Sequence, residues 1–340
     1  MNIVFGESAF AHLSSLICNY NDFFLLTDEN IYKIYSSLVA SLLPEKEICK
    51  IVILPGEDSK NIENVMFIWN KLHDSNAGRD SLLINLGGGT ISDIGGFAAS
   101  CYKRGIDFIN VPTTLLAMTD ASIGGKNGVN FNNCKNQIGL FSMPESVIIN
   151  PMFLNTLPQR DLLSGLAEMM KYAFIADASF FDMNLDNYHD FIEKSAIIKD
   201  DIVNLDFKES GLRKMLNFGH TVGHALEAHY LNKDNYLTHG EAVALGMYSS
   251  LFLSVKYCGL DEKWLFFYEL WFKGNIGFLN LDGFDVDSIF SLISHDKKNK
   301  GGKPQFVLIS APEKPVIDVK VENNDIKNSI LILKDKFSKC

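Results

Sequence analysis

The sequence predicts an α/β domain over residues 1–150 followed by an all-α domain over 151–340, on three observations. Short apolar runs alternate with helical patterns in the first half, apolar residues recur at three- and four-residue spacing in the second, and the chain is long for a single domain. With 340 residues, 47% of them hydrophobic and 21% charged, it can bury a large interior.

In the first half, the runs at 23–26, 49–54, 81–86, 108–111 and 146–149 read as strands. Their alternation with helical stretches is the pattern of a parallel sheet with crossover helices. Beyond about residue 150 the strand signals thin out, and 162–175, 191–204 and 216–228 place apolar residues at helical spacing. Loops such as Leu54-Pro55-Gly56 and Asn76-Ala77-Gly78 are too short for flexible linkers.

Composition excludes several classes. A formal charge of −10 leaves no basic footprint for nucleic acid or an anionic membrane, so an anionic ligand would need a local group of cations. Six cysteines without CxxC spacing read as reduced thiols. No apolar run approaches ~20 residues, and the N-terminus lacks the basic and apolar segments of a signal peptide. No membrane span and a cytoplasmic location are expected.

Chemistry concentrates in a few stretches. The strand at 81–86 runs into Gly87-Gly88-Gly89-Thr90-Ile91-Ser92-Asp93 and then a small-residue helix. Glycines at such a strand-to-helix turn let a phosphate approach the backbone N–H groups at the positive helix end, though a tight turn without a ligand would look the same. Val111-Pro112-Thr113-Thr114 closes another strand, and Asp120-Ala121-Ser122-Ile123-Gly124-Gly125-Lys126 follows, a set suited to phosphate or hydroxyl recognition at strand ends.

In the second half, His220 and His224 sit four apart, His239 opens His239-Gly240-Glu241, and Glu168 lies in an apolar helix with Lys171 three residues on. Histidine and glutamate are natural zinc ligands, and a catalytic zinc keeps three protein ligands with one position open. Spacing alone leaves both His220 and His224 as candidates. The apolar flanks of Glu168 and Lys171 favour a buried, functional pair over a solvated ion pair.

In these motifs and their order, from about Asp28 to the region of Lys300, the chain resembles the 3-dehydroquinate synthase family of sugar phosphate cyclases. The matching stretches include 87–93, 111–117, 120–126, Ser164-Gly165-Leu166-Ala167-Glu168, Leu216-Asn217-Phe218-Gly219-His220 and 239–244. The resemblance implies a dehydroquinate synthase-like fold, with an N-terminal NAD domain and a C-terminal metal domain. Around NAD it implies Asp28, Glu57, Lys60, Gly87, Gly88, Gly89, Asp93, Thr113, Thr114, Lys126 and Lys135. It implies Glu168, His220 and His239 as ligands of zinc, with cobalt as a possible substitute. His224, Lys126, Lys171, Lys199, Arg213 and Asn217 would be catalytic, and Asp120, Asn136, Arg104 and Lys298 would bind substrate.

The implied activity turns 3-deoxy-D-arabino-heptulosonate 7-phosphate into 3-dehydroquinate and phosphate, a step of the shikimate pathway to aromatic amino acids. Transient oxidation by NAD acidifies a C–H bond, phosphate leaves, the hydride returns, and an intramolecular aldol reaction closes the ring. A homodimer is implied as well, with Arg104 reaching the neighbouring phosphate site. Other sugar phosphate cyclases are the nearest alternative, and a metal- and NAD-dependent polyol dehydrogenase a more distant one. The chain departs from the family pattern at Asn127, Thr119, Phe207 and Asp161, with Asn127 expected nearest the pocket.

Overall fold

The computed structural model describes residues 1–42, 49–132, 134–231, 233–294 and 304–339. The chain divides into two compact units, Met1–Leu157 with Ile192–Asp200, and Pro158–Phe191 with Asp201–Cys340.

The first unit contains β1 (Asn2–Phe5), α1 (Ser8–Ile17), β2 (Phe23–Asp28), α2 (Glu29–Leu42), β3 (Cys49–Ile53), α3 (Ile62–Asp74), β4 (Leu82–Gly87), α4 (Gly89–Cys101), β5 (Asp107–Pro112), β6 (Lys126–Phe131), β7 (Cys134–Phe141) and β8 (Ser146–Ile149). Six strands form one sheet in the order β1-β8-β5-β4-β2-β3, and every pairing is parallel. Every residue of β2 and β4 is buried, as expected for strands covered on both faces. One core layer joins Phe24, Leu26, Ile51 and Leu83 of the strands to Val65, Ile68 and Leu72 of α3 and Ile91, Ile94 and Phe97 of α4. The three- and four-residue spacing of the α3 positions is what turns a single helical face to the sheet.

All five strands expected from the sequence are present. Two features were not expected: the short edge strand β1, and the antiparallel hairpin β6–β7. The hairpin carries little apolar alternation, and β7 is exposed along nearly its whole length.

From β2 the chain crosses to β3 on one side, and β4 then lies on the other side of β2. The winding direction therefore reverses between β2 and β4. In open α/β sheets, ligands bind at the carboxyl ends of the strands at such a reversal. Asp28 ends β2 and Gly87 ends β4.

The second unit is helical, with one addition. It holds α5 (Gln159–Ile175), α7 (His220–Tyr230), α8 (His239–Cys258), α9 (Lys263–Asn275), α10 (Val286–Ser294) and α11 (Asn323–Phe337). The addition is an antiparallel hairpin of β9 (Gln305–Ala311) and β10 (Lys314–Lys320). Helix α6 (Ile192–Leu205) begins among residues grouped with the first unit and ends among those of the second. The helix expected from 216 starts instead at His220. Residues Leu212–Asn217 form a tight 3₁₀ turn, and Gly219 is left-handed at φ 83°, which a side chain would resist. Among the described residues no helix is long and apolar enough to cross a membrane.

Candidate functional site

In the first unit, polar side chains gather where the strands end. Asp28 Oδ1 accepts from the N–H groups of Asn30 and Ile31, each at 3.0 Å, which caps the start of α2. Burial raises the Asp28 pKa despite those two bonds. Lys60, nearly buried, ion-pairs with Asp93 on α4. Burial also pushes the Asp93 carboxyl up, and the Lys60 charge pulls it back. Glu57 accepts from Thr90 Oγ1 at 3.2 Å and from Asn130 Nδ2 at 2.9 Å. Asn130 was not among the expected residues. Its own N–H donates to Lys60 O at 2.8 Å and its Oδ1 accepts from the Asn136 N–H at 2.9 Å, so it ties the 56–60 loop to the hairpin.

The glycine turn has two explanations that reinforce each other. A Cβ on Gly87 would meet Ile91 Cγ1 at 2.5 Å and one on Gly89 would meet Ala121 Cβ at 3.0 Å, so packing alone opposes a side chain at Gly87 and crowds one at Gly89. Helix α4 also has no side-chain cap at its N-terminus, which leaves its first N–H groups available to an anion. Thr113 Oγ1 is buried and meets no hydrogen-bond partner among the described residues. An uncapped helix start, a Cβ-free turn and an orphaned hydroxyl fit a dinucleotide at this edge of the sheet.

The remaining candidates of this unit are arranged as follows. Lys199, buried on α6, pairs with Asp120 Oδ1 at 2.8 Å. Lys126, Lys135 and Asn136 are exposed along the hairpin, and Asn136 is left-handed at φ 50°. Arg104 is exposed on a turn whose successive residues Lys103, Arg104 and Gly105 have φ values of 49°, 74° and 116°. Asn127 is buried. Its Nδ2 donates to Gly125 O at 3.1 Å and Ser142 O at 2.8 Å, and its side chain fills the space beside Gly96. Thr119 is fully buried and donates to Leu115 O at 2.9 Å. These two of the four departures from the family pattern serve the fold. Lys298, with Lys297 and Lys303, lies outside the described residues.

In the second unit, α5, α7 and α8 bring Glu168, His220 and His239 together. The helices approach this closely because small residues meet: a Cβ on Gly240 would fall inside the Ser164 backbone of α5, and one on Gly246 inside the Gly219 carbonyl at the start of α7. Glu168 Oε1 lies 3.3 Å from His220 Nε2 and 3.2 Å from His239 Nε2. Two ligands of one tetrahedral zinc, each about 2.0–2.2 Å from the ion, are separated by roughly 3.3–3.5 Å. The observed spacings match that edge.

A hydrogen bond fixes the tautomer of His220. His220 Nδ1 is 3.1 Å from Phe218 O, a group that can only accept, so Nδ1 carries the proton and Nε2 presents a lone pair. Burial holds the His220 pKa well below its ordinary value, which keeps the ring neutral. A neutral Nε2 facing a carboxylate oxygen is a contact between two acceptors, and a cation between them resolves it. His239 Nδ1 meets Glu227 Oε2 at 3.3 Å. Burial pulls the His239 pKa down, but bonds to Glu168 and Glu227 carry it up to about 10, so a proton holds this place when no metal does.

Glu168 is fully buried, and its Oε2 pairs with Lys171 Nζ at 2.6 Å. Burial alone would raise its pKa, yet Lys171 and the two histidines keep it well below the usual carboxylate range. His224 offers a second possible grouping, since one ring nitrogen from each of His220, His224 and His239 lies within 4.8 Å of the others. Arg213 is buried in the 3₁₀ turn before α7 and donates from Nη1 to Phe207 O at 2.6 Å. Asn217 Nδ2 donates to Glu209, a left-handed residue at φ 57°. Sequence reasoning did not single out Glu209 or Glu227. The only signal for Glu227 was its position seven residues after His220, which puts it on the same helical face.

Comparison with known proteins fits this picture. The family model for the N-terminal region of 3-dehydroquinate synthase matches residues 50–164, and the model for the C-terminal region matches 165–299. A 3-dehydroquinate synthase of Parabacteroides distasonis is 41% identical over 328 residues, covering 94% of this chain and 91% of that protein. One from Alkaliphilus metalliredigens is 40% identical, covering 90% and 88%. Among solved structures, ValA, a 2-epi-5-epi-valiolone synthase from Streptomyces hygroscopicus subsp. jinggangensis with NAD+ and Zn2+ bound, superposes with a TM-score of 0.85 at 26% identity, covering 98% and 96%. A 2-deoxy-scyllo-inosose synthase complexed with carbaglucose-6-phosphate, NAD+ and Co2+ shares the fold, with a TM-score of 0.84 at 24% identity over 96% and 95%. Glycerol dehydrogenase of Schizosaccharomyces pombe shares it more loosely, at 0.65 and 14% identity over 98% of this chain and 89% of that one.

The fold and its two polar constellations define a cyclase-type scaffold of a nucleotide-binding sheet and a helical metal-binding unit. The chain belongs to the 3-dehydroquinate synthase family.

Proposed function

We propose that this chain is a carbon–oxygen lyase that converts 3-deoxy-D-arabino-heptulosonate 7-phosphate into 3-dehydroquinate and phosphate in the shikimate pathway. The observation that carries the reading is Glu168 Oε1 facing the Nε2 atoms of both His220 and His239 at tetrahedral-edge distances, in a family of NAD- and metal-associated cyclases. When bound, NAD supplies a transient hydride acceptor and zinc, or cobalt in its place, supplies a Lewis acid for the substrate oxygens.

The chain's own groups would divide the work. Asp28 and Glu57 accept from ribose hydroxyls, while the Gly87-Gly88-Gly89 turn, Lys60, Asp93, Thr113 and Thr114 hold the dinucleotide. Lys126 and Lys135 add positive charge beside it. Glu168, His220 and His239 hold the metal, and His224 carries a proton for the substrate. Lys171, Lys199, Arg213 and Asn217 orient and stabilise the anionic substrate, with Asp120 and Asn136 on its hydroxyls, Arg104 on its phosphate, and Lys298, or its neighbours Lys297 or Lys303, as a further substrate cation. Glu168 is favoured over His224 as third ligand because it is the anionic one, and its buried carboxylate faces the Nε2 atoms of both other histidines.

Two further parts of the reading are a homodimer, which Arg104 would serve from its exposed, left-handed turn, and a cytoplasmic location. The deciding experiment supplies purified chain with the heptulosonate phosphate, catalytic NAD and zinc, and measures phosphate, carbocycle and NADH. Phosphate and 3-dehydroquinate in equal amounts without NADH accumulation are expected. NADH formed in step with product would indicate a dehydrogenase, and turnover only with another sugar phosphate would indicate a different cyclase. A chelator should abolish activity, and zinc or cobalt should restore it. Full activity in metal-free protein would refute the metal assignment.

A further inference from the structure

We propose that Glu227 is a positioning residue for the metal: it holds the His239 ring with Nε2 turned toward Glu168 and makes that nitrogen the stronger donor of the two imidazoles. This rests on the reading that Glu168, His220 and His239 bind the ion. Glu227 lies on α7, seven residues after His220 and three after His224, and is buried at 7% exposure. Its Oε2 is 3.3 Å from His239 Nδ1, while the other ring nitrogen is 3.2 Å from Glu168 Oε1. An acceptor at Nδ1 leaves the lone pair on Nε2, where a metal can use it.

The two histidines are not held alike. His220 leans on a neutral carbonyl, Phe218 O, whereas His239 leans on a carboxylate. A carboxylate draws the Nδ1 proton more strongly and leaves more electron density on Nε2. The backbone at His239 is fixed by separate means. Thr238 and Glu241 form a capping box at the start of α8, and Arg160 grips Glu241 with two bonds of 2.8 and 2.7 Å. Removing the Glu227 charge therefore changes the ring without unfastening the helix that carries it.

The test compares zinc affinity, by competition with a chelator of known strength, and the absorption of cobalt-loaded protein, in the unaltered chain and in Glu227→Gln and Glu227→Ala. Glu227→Ala is expected to lose about 10- to 100-fold in zinc affinity, and Glu227→Gln less, because its amide oxygen still accepts the Nδ1 proton. Cobalt bands should shift in both, with circular dichroism unchanged. Arg160→Ala should lower the unfolding midpoint while leaving the cobalt bands in place, which separates a structural loss from a change at the ion. If Glu227→Ala does not fold, the isosteric Gln variant decides. Unaltered affinity and unaltered bands in the variants, with the parent chain binding zinc, would overturn the role of Glu227. A parent chain that binds neither zinc nor cobalt would overturn the metal reading beneath it.

Discussion

Single side chains decide how the candidate cations of the site are held. Arg213 sits in a turn whose shape depends on Asp206, which accepts from the N–H groups of Ser210, Gly211 and Arg213 at 3.0, 2.7 and 3.1 Å. The bond from Gly211, with those from Ser210 and Arg213, lowers the Asp206 pKa. A carboxyl whose folded pKa is depressed contributes stability that is present above its unfolded pKa and is lost as pH falls through the lower folded value. Asp206→Asn should therefore be less stable than the parent at neutral pH, and the difference should vanish as pH falls below the carboxylate range; urea titrations at both pH values check this. The same substitution should raise KM more than it lowers kcat, because it loosens Arg213 without touching the metal ligands. Residue identity was also where the sequence said least. Asn127 stood beside a recognisable loop and was expected near the pocket, and its side chain is a buried brace between Gly125, Ser142 and the glycine face of α4.

At the level of elements, the approach of three helices matters more than any one of them. Gly246→Ala would put a methyl group into the Gly219 carbonyl, and helices α7 and α8 would have to part. A loss of about 1–3 kcal/mol in stability is expected from such overpacking, together with weaker zinc binding; thermal unfolding with and without metal measures both. Much of the element list was legible in the sequence. The five expected strands have short apolar runs flanked by turn residues, and α5 and α6 have helical spacing over long stretches. What escaped was local or long-range in a way that periodicity does not record. The run Phe306-Val307-Leu308-Ile309 in β9 is as compatible with a buried helix as with a strand. The start of α7 depends on one left-handed glycine. The pairing of Glu227 with His239 becomes visible only when α7 and α8 are packed, and the preference for Glu168, His220 and His239 as candidate metal ligands came from resemblance to a family, since spacing left His220 and His224 equal.

For the whole molecule, the grouping of Ile192–Asp200 with the first 157 residues ties Lys199 to Asp120 across 79 positions of sequence. Hydrogen exchange on the full chain with NAD alone should protect 192–200 along with the strand ends at 28 and 87–93. Zinc alone should protect 159–175 and 220–258 instead. Protection of 192–200 by zinc and not by NAD would contradict that grouping. Charge is the other property of the whole. The chain carries a net charge of −10, so attraction for an anionic substrate has to be local. Where the metal would sit, Glu168 already has an ammonium partner, Lys171, at 2.6 Å. A dication added there meets a cation held within the same buried carboxylate pair, and an anion entering afterward relieves the repulsion. Binding of the two is then linked, and linkage is reciprocal: whatever factor the metal adds to the affinity for an anion, the anion adds to the affinity for the metal. Zinc should bind the protein more tightly when phosphate is present, so the ion is held most firmly while substrate is at hand.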